Sequence, residues 1–307
     1  MAPSLPSTLL LPTLTILAIL PLLAHAGRID NGECPPDNEL GALIYSPFKP
    51  YFWWPMWQGH RQKCWVAADC LFEAAGESRK QQFAATALIM GLIPLTLKDI
   101  AWPEQRIVHV TRRLPWAVEV AVLALGLVPL ETQDEGTTED KVKEENLLAR
   151  AVWRHRTWTI VLYILLSALG VLASYGGMAI VEIYSKRSAL GCPWPIWVVC
   201  WYVVALVPAA VHATFAKYRR MREKNERKQK IISAVQGADE DWPVQLSWGI
   251  YYIAGTLIWT SIMAITVAEL VVWVGLGVAV SASSKLLAFF LCLFWEKVRA
   301  RRAGAGR

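Results

Sequence analysis

Residues 242–295 form a stretch of 54 positions with only two charged side chains, Glu269 and Lys285. A hydrocarbon core about 30 Å thick needs roughly 20 apolar helical residues. The stretch is therefore too long for one crossing and fits a tight transmembrane helical hairpin. Residues 157–181 and 188–216 add two more long apolar runs, the second interrupted only by His212. Residues 81–97 and 114–130 are shorter, 17 positions each, and the second carries Glu119, Pro115 and Pro129. The whole chain is 55% hydrophobic and 18% charged. An ordinary soluble domain is about 45–50% apolar and about 25% charged. These figures exclude a disordered chain, a collagen-like chain, a disulfide-dense miniprotein and a soluble nucleic-acid binder. The expected fold is all-α, a polytopic transmembrane bundle of about five or six spans after a signal peptide.

The chain opens with an apolar segment, residues 5–24, broken by Pro6, Pro12 and Pro21 and followed by Ala24-His25-Ala26. That ending reads as a signal-peptide cleavage site, so residues 1–26 are expected to be removed. Residues 1–8 contain no Lys or Arg, and an uncleaved anchor is the alternative. Residues 27–80 then form an extramembrane region. Within it, the aromatic residues 51–57 are too short to span and suit an interfacial position.

Orientation follows from basic residues, because Lys/Arg-rich short loops stay cytosolic. Eight fall between Lys217 and Lys230, and five follow Trp295. Loop 217–241 and tail 296–307 are therefore expected in the cytosol, with residues 217–230 against anionic lipids. The charged linker 131–156 falls on the same side, and Lys186 and Arg187 on the other. A cleaved signal places residues 27–80 in the lumen. Two full crossings by 81–97 and 114–130 would then put every later loop on the wrong side. Two arrangements resolve this. In one, segment 114–130 is re-entrant; in the other, residues 5–24 are an uncleaved seventh span and residues 27–80 are cytosolic. In the first, Cys34, Cys64, Cys70 and Cys192 share the oxidising side and can form two disulfides, with pairing open. Cys200 and Cys292 lie inside apolar runs and read as unpaired packing residues.

Nothing in the chain matches a hydrolase elbow, a zincin helix, a P-loop or a dinucleotide fingerprint. No catalytic residue, cofactor or metal set is expected. Glu119, Glu269 and Lys285 are the intramembrane polar candidates, since a charge at mid-bilayer costs about 2.5–3.5 kcal/mol on insertion scales. A hairpin turn at Gly275-Leu276-Gly277 brings Glu269 and Lys285 together as a pair. A turn at Glu269 itself leaves both near headgroups and water. Glu182 and His212 sit near run ends and read as interfacial. Gly170 with Ser174, and Ala173 with Gly177, are small residues four apart, a spacing that lets helices approach closely in lipid. Trp102, Trp116, Trp153, Trp158, Trp194, Trp197, Trp242, Trp248 and Trp295 mark run boundaries, the pattern of an interfacial belt.

Residues 81–104, QQFAATALIMGLIPLTLKDIAWPE, with the upstream Ala67-Ala68-Asp69-Cys70, resemble an uncharacterised family of multi-pass integral membrane proteins of filamentous fungi. The likeness covers roughly residues 64–130 well and the later spans loosely. It implies a fungal source and an integral membrane protein, and it transfers no functional residues. The expected role is a non-enzymatic structural, scaffolding or sensing component of a secretory-pathway membrane, either the endoplasmic reticulum or the plasma membrane. A secondary transporter or channel using Glu119, Glu269 and Lys285 is the alternative, and a membrane-embedded enzyme the second. The three charges gathered around one cavity would favour transport.

Overall fold

The computed structural model describes residues 34, 36–49, 63–99, 107–110, 114–131, 156–186, 197–226, 241–260 and 264–304. The signal segment 1–26, the aromatic segment 51–57, Cys192, Trp102, Trp153, Trp194 and nearly all of the linker 131–156 lie outside them. The helices are α1 (Asp37–Tyr45), α2 (Lys63–Ala74), α3 (Glu77–Asp99), α4 (Trp116–Ala124), α5 (Thr157–Ile183), α6 (Trp197–Val204), α7 (Leu206–Glu226), α8 (Trp242–Thr260) and α9 (Val267–Gly304). Among the described residues, three helical segments are long and apolar enough to cross a membrane: Thr157–Ile183, Val199–Met221 and Val267–Arg299.

Helices α5 and α9 pack antiparallel along their length. Tyr163 stacks on Phe290, Gly170 faces Ser283, and Gly177 faces Leu276. Each step of seven residues up α5 is matched by seven down α9. A Cβ on Gly170 or Gly177 would approach those partners to 3.2 and 3.1 Å, so both glycines permit the close contact. Ser174 lies between them and bonds back to the Gly170 carbonyl, whereas Ala173 is exposed. Helix α3 runs along α8 in the opposite direction, with Thr86 donating to the Ile265 carbonyl and Gly91 seated against Thr260. The break between α6 and α7 falls at Ala205, three residues before Pro208. Proline has no N–H and its ring clashes with the carbonyl four residues back, which here belongs to Val204.

The outward faces are as apolar as the interior. On α5, Leu162, Leu165, Leu169 and Leu172 are exposed; on α8, Leu246, Ile250, Ile253 and Leu257 are. Contiguous apolar surface on this scale is foreign to a water-soluble monomer.

Three expectations are corrected. Gly275 and Gly277 lie inside α9, so the hairpin does not turn there; α8 ends at Thr260 and α9 begins at Val267. Glu269 and Lys285 therefore share one helix, 16 positions and about 24 Å apart, and do not pair. The tryptophan belt holds only for some residues. Trp158 is 83% exposed, but Trp248 is 7% exposed and belongs to the core, with Trp201, Trp259 and Trp273.

A feature absent from the sequence reading is a pair of four-residue strands, β1 (Ile107–Val110) and β2 (Val128–Glu131), which run parallel with α4 between them. Pro129 is tolerated because a two-stranded sheet has only edge strands. Helix α4 stops where Gly126 adopts φ +92° and the Leu127 N–H bonds the Val122 carbonyl, a glycine-terminated helix end. Nine residues make α4 about 13 Å long. Val110, Leu114, Val122 and Leu127 pack with Ile160, Phe289 and Leu293 at one end of the α5–α9 pair.

Candidate functional site

A cavity of about 130 Å³ lies within the bundle, lined by α3, α4, α6, α8 and α9. One wall is aromatic. Trp201 and Tyr202 come from α6, and Trp248, Tyr251 and Tyr252 from α8, where the spacing 248, 251, 252 puts all three on one helical face. The Trp201 and Tyr251 rings stack at 4.6 Å and 10°, and the Trp201 indole N–H donates to the Tyr251 carbonyl at 2.9 Å. Gly255 makes room for that indole, because a Cβ there would overlap its ring. A polar part of the lining comes from α9, where Ser281, Ser284 and Lys285 share one face at the same spacing. Pro94, Leu125 and Gly126 also line it. The Tyr202 hydroxyl is buried and has no hydrogen-bond partner among the described residues.

Two buried polar clusters flank this cavity at opposite ends of the bundle. At the first, Thr266 and Glu269 form a capping box at the start of α9. The Glu269 carboxylate accepts from the Thr266 N–H at 2.7 Å and the Thr266 hydroxyl at 2.8 Å. It also accepts from the Phe48 N–H, 221 residues away in sequence, at 2.9 Å. Lys186, just past α5, donates to the Ser46 carbonyl at 2.7 Å. Glu182 accepts from the Val199 N–H at 3.2 Å. Glu269, Lys186 and Glu182 are all fully buried. Burial pushes the Lys186 ammonium below the ordinary lysine value; the Glu269 carboxylate opposes that shift and Lys49 adds to it. Phe48 and Ala264, at this same end, are the two non-glycine residues with left-handed backbone among those described. Such a conformation costs roughly 1–2 kcal/mol per residue.

At the second end, Glu119 in the first turn of α4 meets Arg220 of α7. One guanidinium nitrogen, Nη2, reaches both carboxylate oxygens, at 2.7 and 3.0 Å. The Trp248 indole N–H approaches His212 Nδ1 at 3.4 Å.

Of the three intramembrane candidates, only Lys285 lines the cavity; Glu119 and Glu269 stand at opposite ends. Cys34 and Cys70 form a disulfide that closes a 36-residue loop and ties α2 to the chain entering α1. Cys200 and Cys292 are free, the former exposed and the latter buried. The Cys64 side chain and Cys192 lie outside the described residues. Among the described residues, no group of three His, Cys, Asp or Glu is placed to hold a metal ion.

The sequence reading missed Lys186, Arg220, Thr266 and the aromatic wall. Thr266-Val267-Ala268-Glu269 carries the capping-box signature, which marks Glu269 as a helix-start residue. The 248, 251, 252 spacing likewise signals one aromatic face. Comparison with protein families, curated proteins and solved structures finds no match.

Proposed function

We propose that this chain is a multi-pass integral membrane protein with a non-enzymatic structural, scaffolding or sensing role. Five crossings account for the packing: α3, α5, the α6–α7 pair, α8 and α9. Helix α4 and the two strands stay at the Glu119 end. The observation that carries this arrangement is the contact of residues 46–48 with Lys186 and Glu269. It groups the N-terminal region with the α5–α6 and α8–α9 connections. The basic loop after α7 and the basic tail of α9 belong to the opposite end.

By the positive-inside rule the Glu119 end is cytosolic and the Glu269 end lumenal. The Cys34–Cys70 disulfide fits the oxidising side. A cleaved signal at residues 1–26, passage through the secretory pathway, anionic lipids against residues 217–230, and the fungal source implied by residues 64–130 belong to the same reading. The separation of Glu119, Glu269 and Lys285 supports a role other than transport, since a charged path would bring them to one cavity.

Purified protein in sealed proteoliposomes tests that role. Imposed proton and potassium gradients should decay no faster than in protein-free vesicles. Decay that is accelerated by the protein and abolished by Lys285→Met would overturn the reading in favour of a transporter or channel.

A further inference from the structure

We propose that residues 34–49 form a redox-released strap, locked down by the Cys34–Cys70 disulfide and freed from Lys186 and Glu269 when that bond is reduced. The inference deepens the sensing reading, on which it rests for a lumenal position, and names what is sensed: the thiol–disulfide balance around the strap. Three observations carry it.

The first is how the strap is held. At one end Cys34 is bonded to Cys70 of α2, and α1 packs on α2 with Leu40 and Ile44 buried. At the other end the strap offers backbone groups: the Ser46 carbonyl accepts from Lys186, and the Phe48 N–H donates to Glu269. The disulfide closes a 36-residue loop around these groups. Opening it restores conformational freedom to the loop, an entropic gain that favours the undocked chain.

The second is that the bundle tolerates undocking. Glu269 keeps both bonds from Thr266, so α9 keeps its start. The Lys186 ammonium, disfavoured by burial, reaches water. Phe48 leaves its left-handed backbone, φ 53°, and relaxes. Such backbone outliers cluster at switch regions.

The third is access. Cys34 is exposed, whereas Cys70 is buried. The reductant is a dithiol, either small or carried by an oxidoreductase. Its thiolate attacks the Cys34 sulfur, the Cys34–Cys70 bond breaks, and Cys70 leaves as a thiolate that takes a proton. The second thiol of the reductant then attacks the mixed disulfide and releases Cys34 as a thiol. Two electrons pass to the protein, and the dithiol departs as a disulfide.

The test uses the full wild-type chain in phosphatidylcholine nanodiscs, with and without dithiothreitol, and mass mapping after alkylation to show that Cys34–Cys70 has opened. Amide hydrogen exchange across residues 46–49, and acetylation of the Lys186 amine by a succinimidyl ester, should each speed up roughly tenfold or more on reduction. Exchange along α5 and α9 should stay within about twofold. Reoxidation should restore protection. Cys34→Ser combined with Cys70→Ser should show the released state without dithiothreitol; should that variant fail to fold, the wild-type measurement decides alone. A Cys34–Cys70 bond that dithiothreitol leaves intact would overturn the proposal. So would continued protection of residues 46–49 and Lys186 after reduction, or protection lost along α5 and α9 as well, which marks the disulfide as a purely structural bond. Failure of the membrane reading is seen separately, as release of the protein from membranes by alkaline carbonate.

Discussion

The two ends of the bundle are held by different chemistry. At the Glu269 end, a fully buried carboxylate takes three hydrogen bonds, two from its own helix start and one from Phe48. Lys186 holds the same N-terminal segment through the Ser46 carbonyl. Two left-handed non-glycine residues are retained there. At the Glu119 end, an ion pair joins α4 to α7, and the Arg220 side chain keeps 20% of its exposure. The first end ties residues 46–48 to the end of α5 and the start of α9 through fully buried side chains. The second leaves its cation in reach of solvent. Breaking the first strands several groups at once, whereas breaking the second returns one group to water.

The largest expected effect is therefore at Glu269. Glu269→Ala leaves the Thr266 N–H, the Thr266 hydroxyl and the Phe48 N–H unpaired and removes the carboxylate that faces Lys186. Losing one side of a buried charged network costs about 3–5 kcal/mol. Detergent-solubilised protein should melt roughly 10 °C lower. Glu269→Gln should recover part of that loss, because glutamine also closes a capping box. A melting temperature within 2 °C of wild type, on the order of 1 kcal/mol or less, would place the two ends on a par and break the comparison.

The expected effect at the Glu119 end is smaller. A double-mutant cycle of Glu119→Gln and Arg220→Gln should give a coupling of about 1 kcal/mol, in the upper range for partly exposed pairs. Raising the salt to 1 M should shrink it, because the Debye length falls to about 3 Å. The Glu269→Ala loss should not change with salt. A salt-insensitive coupling near 3 kcal/mol, in the range of a broken buried pair, would mean that the Glu119 end is as dry as the other.

The smallest expected effect is a pH slope. Lys186 has a lowered affinity for its proton in the folded protein, chiefly through burial. The unfolded chain therefore binds more protons below the ordinary lysine value, and stability should rise as pH climbs toward it. Melting curves between pH 8 and pH 10 should show that rise, and Lys186→Met should flatten it. A fall with pH in wild type, absent in Lys186→Met, would mean that Glu269 outweighs burial.

The long helices were legible because lipid demands long uncharged runs, and α5 follows its run closely, whereas α9 continues through Glu296 to Gly304, into the expected tail. The turn between α8 and α9 was not, since Gly275 and Gly277 serve helix interiors in a membrane as readily as turns. The Glu269–Lys285 pairing failed for that reason. Thr266-Val267-Ala268-Glu269 held the correct answer, in a motif read more easily in soluble chains. The aromatic wall was hidden by a different ambiguity. Trp248 stands at the edge of an apolar run, where an interfacial anchor and a core residue look alike. Only the approach of its indole to His212 of α7 distinguishes them, and that contact is tertiary. The strand pair was unreadable because each strand has four residues and its partner lies 21 positions away.

The central claim is that the two polar ends lie on opposite sides of a bilayer. Lys49 at the Glu269 end and Tyr218 at the Glu119 end are both exposed. Each is replaced singly by cysteine in a chain lacking Cys64, Cys192, Cys200 and Cys292. Sealed, right-side-out microsomes are then treated with a membrane-impermeant maleimide. The account predicts labelling of Tyr218→Cys in intact vesicles and of Lys49→Cys only after permeabilisation. Labelling of both from the same side would contradict it.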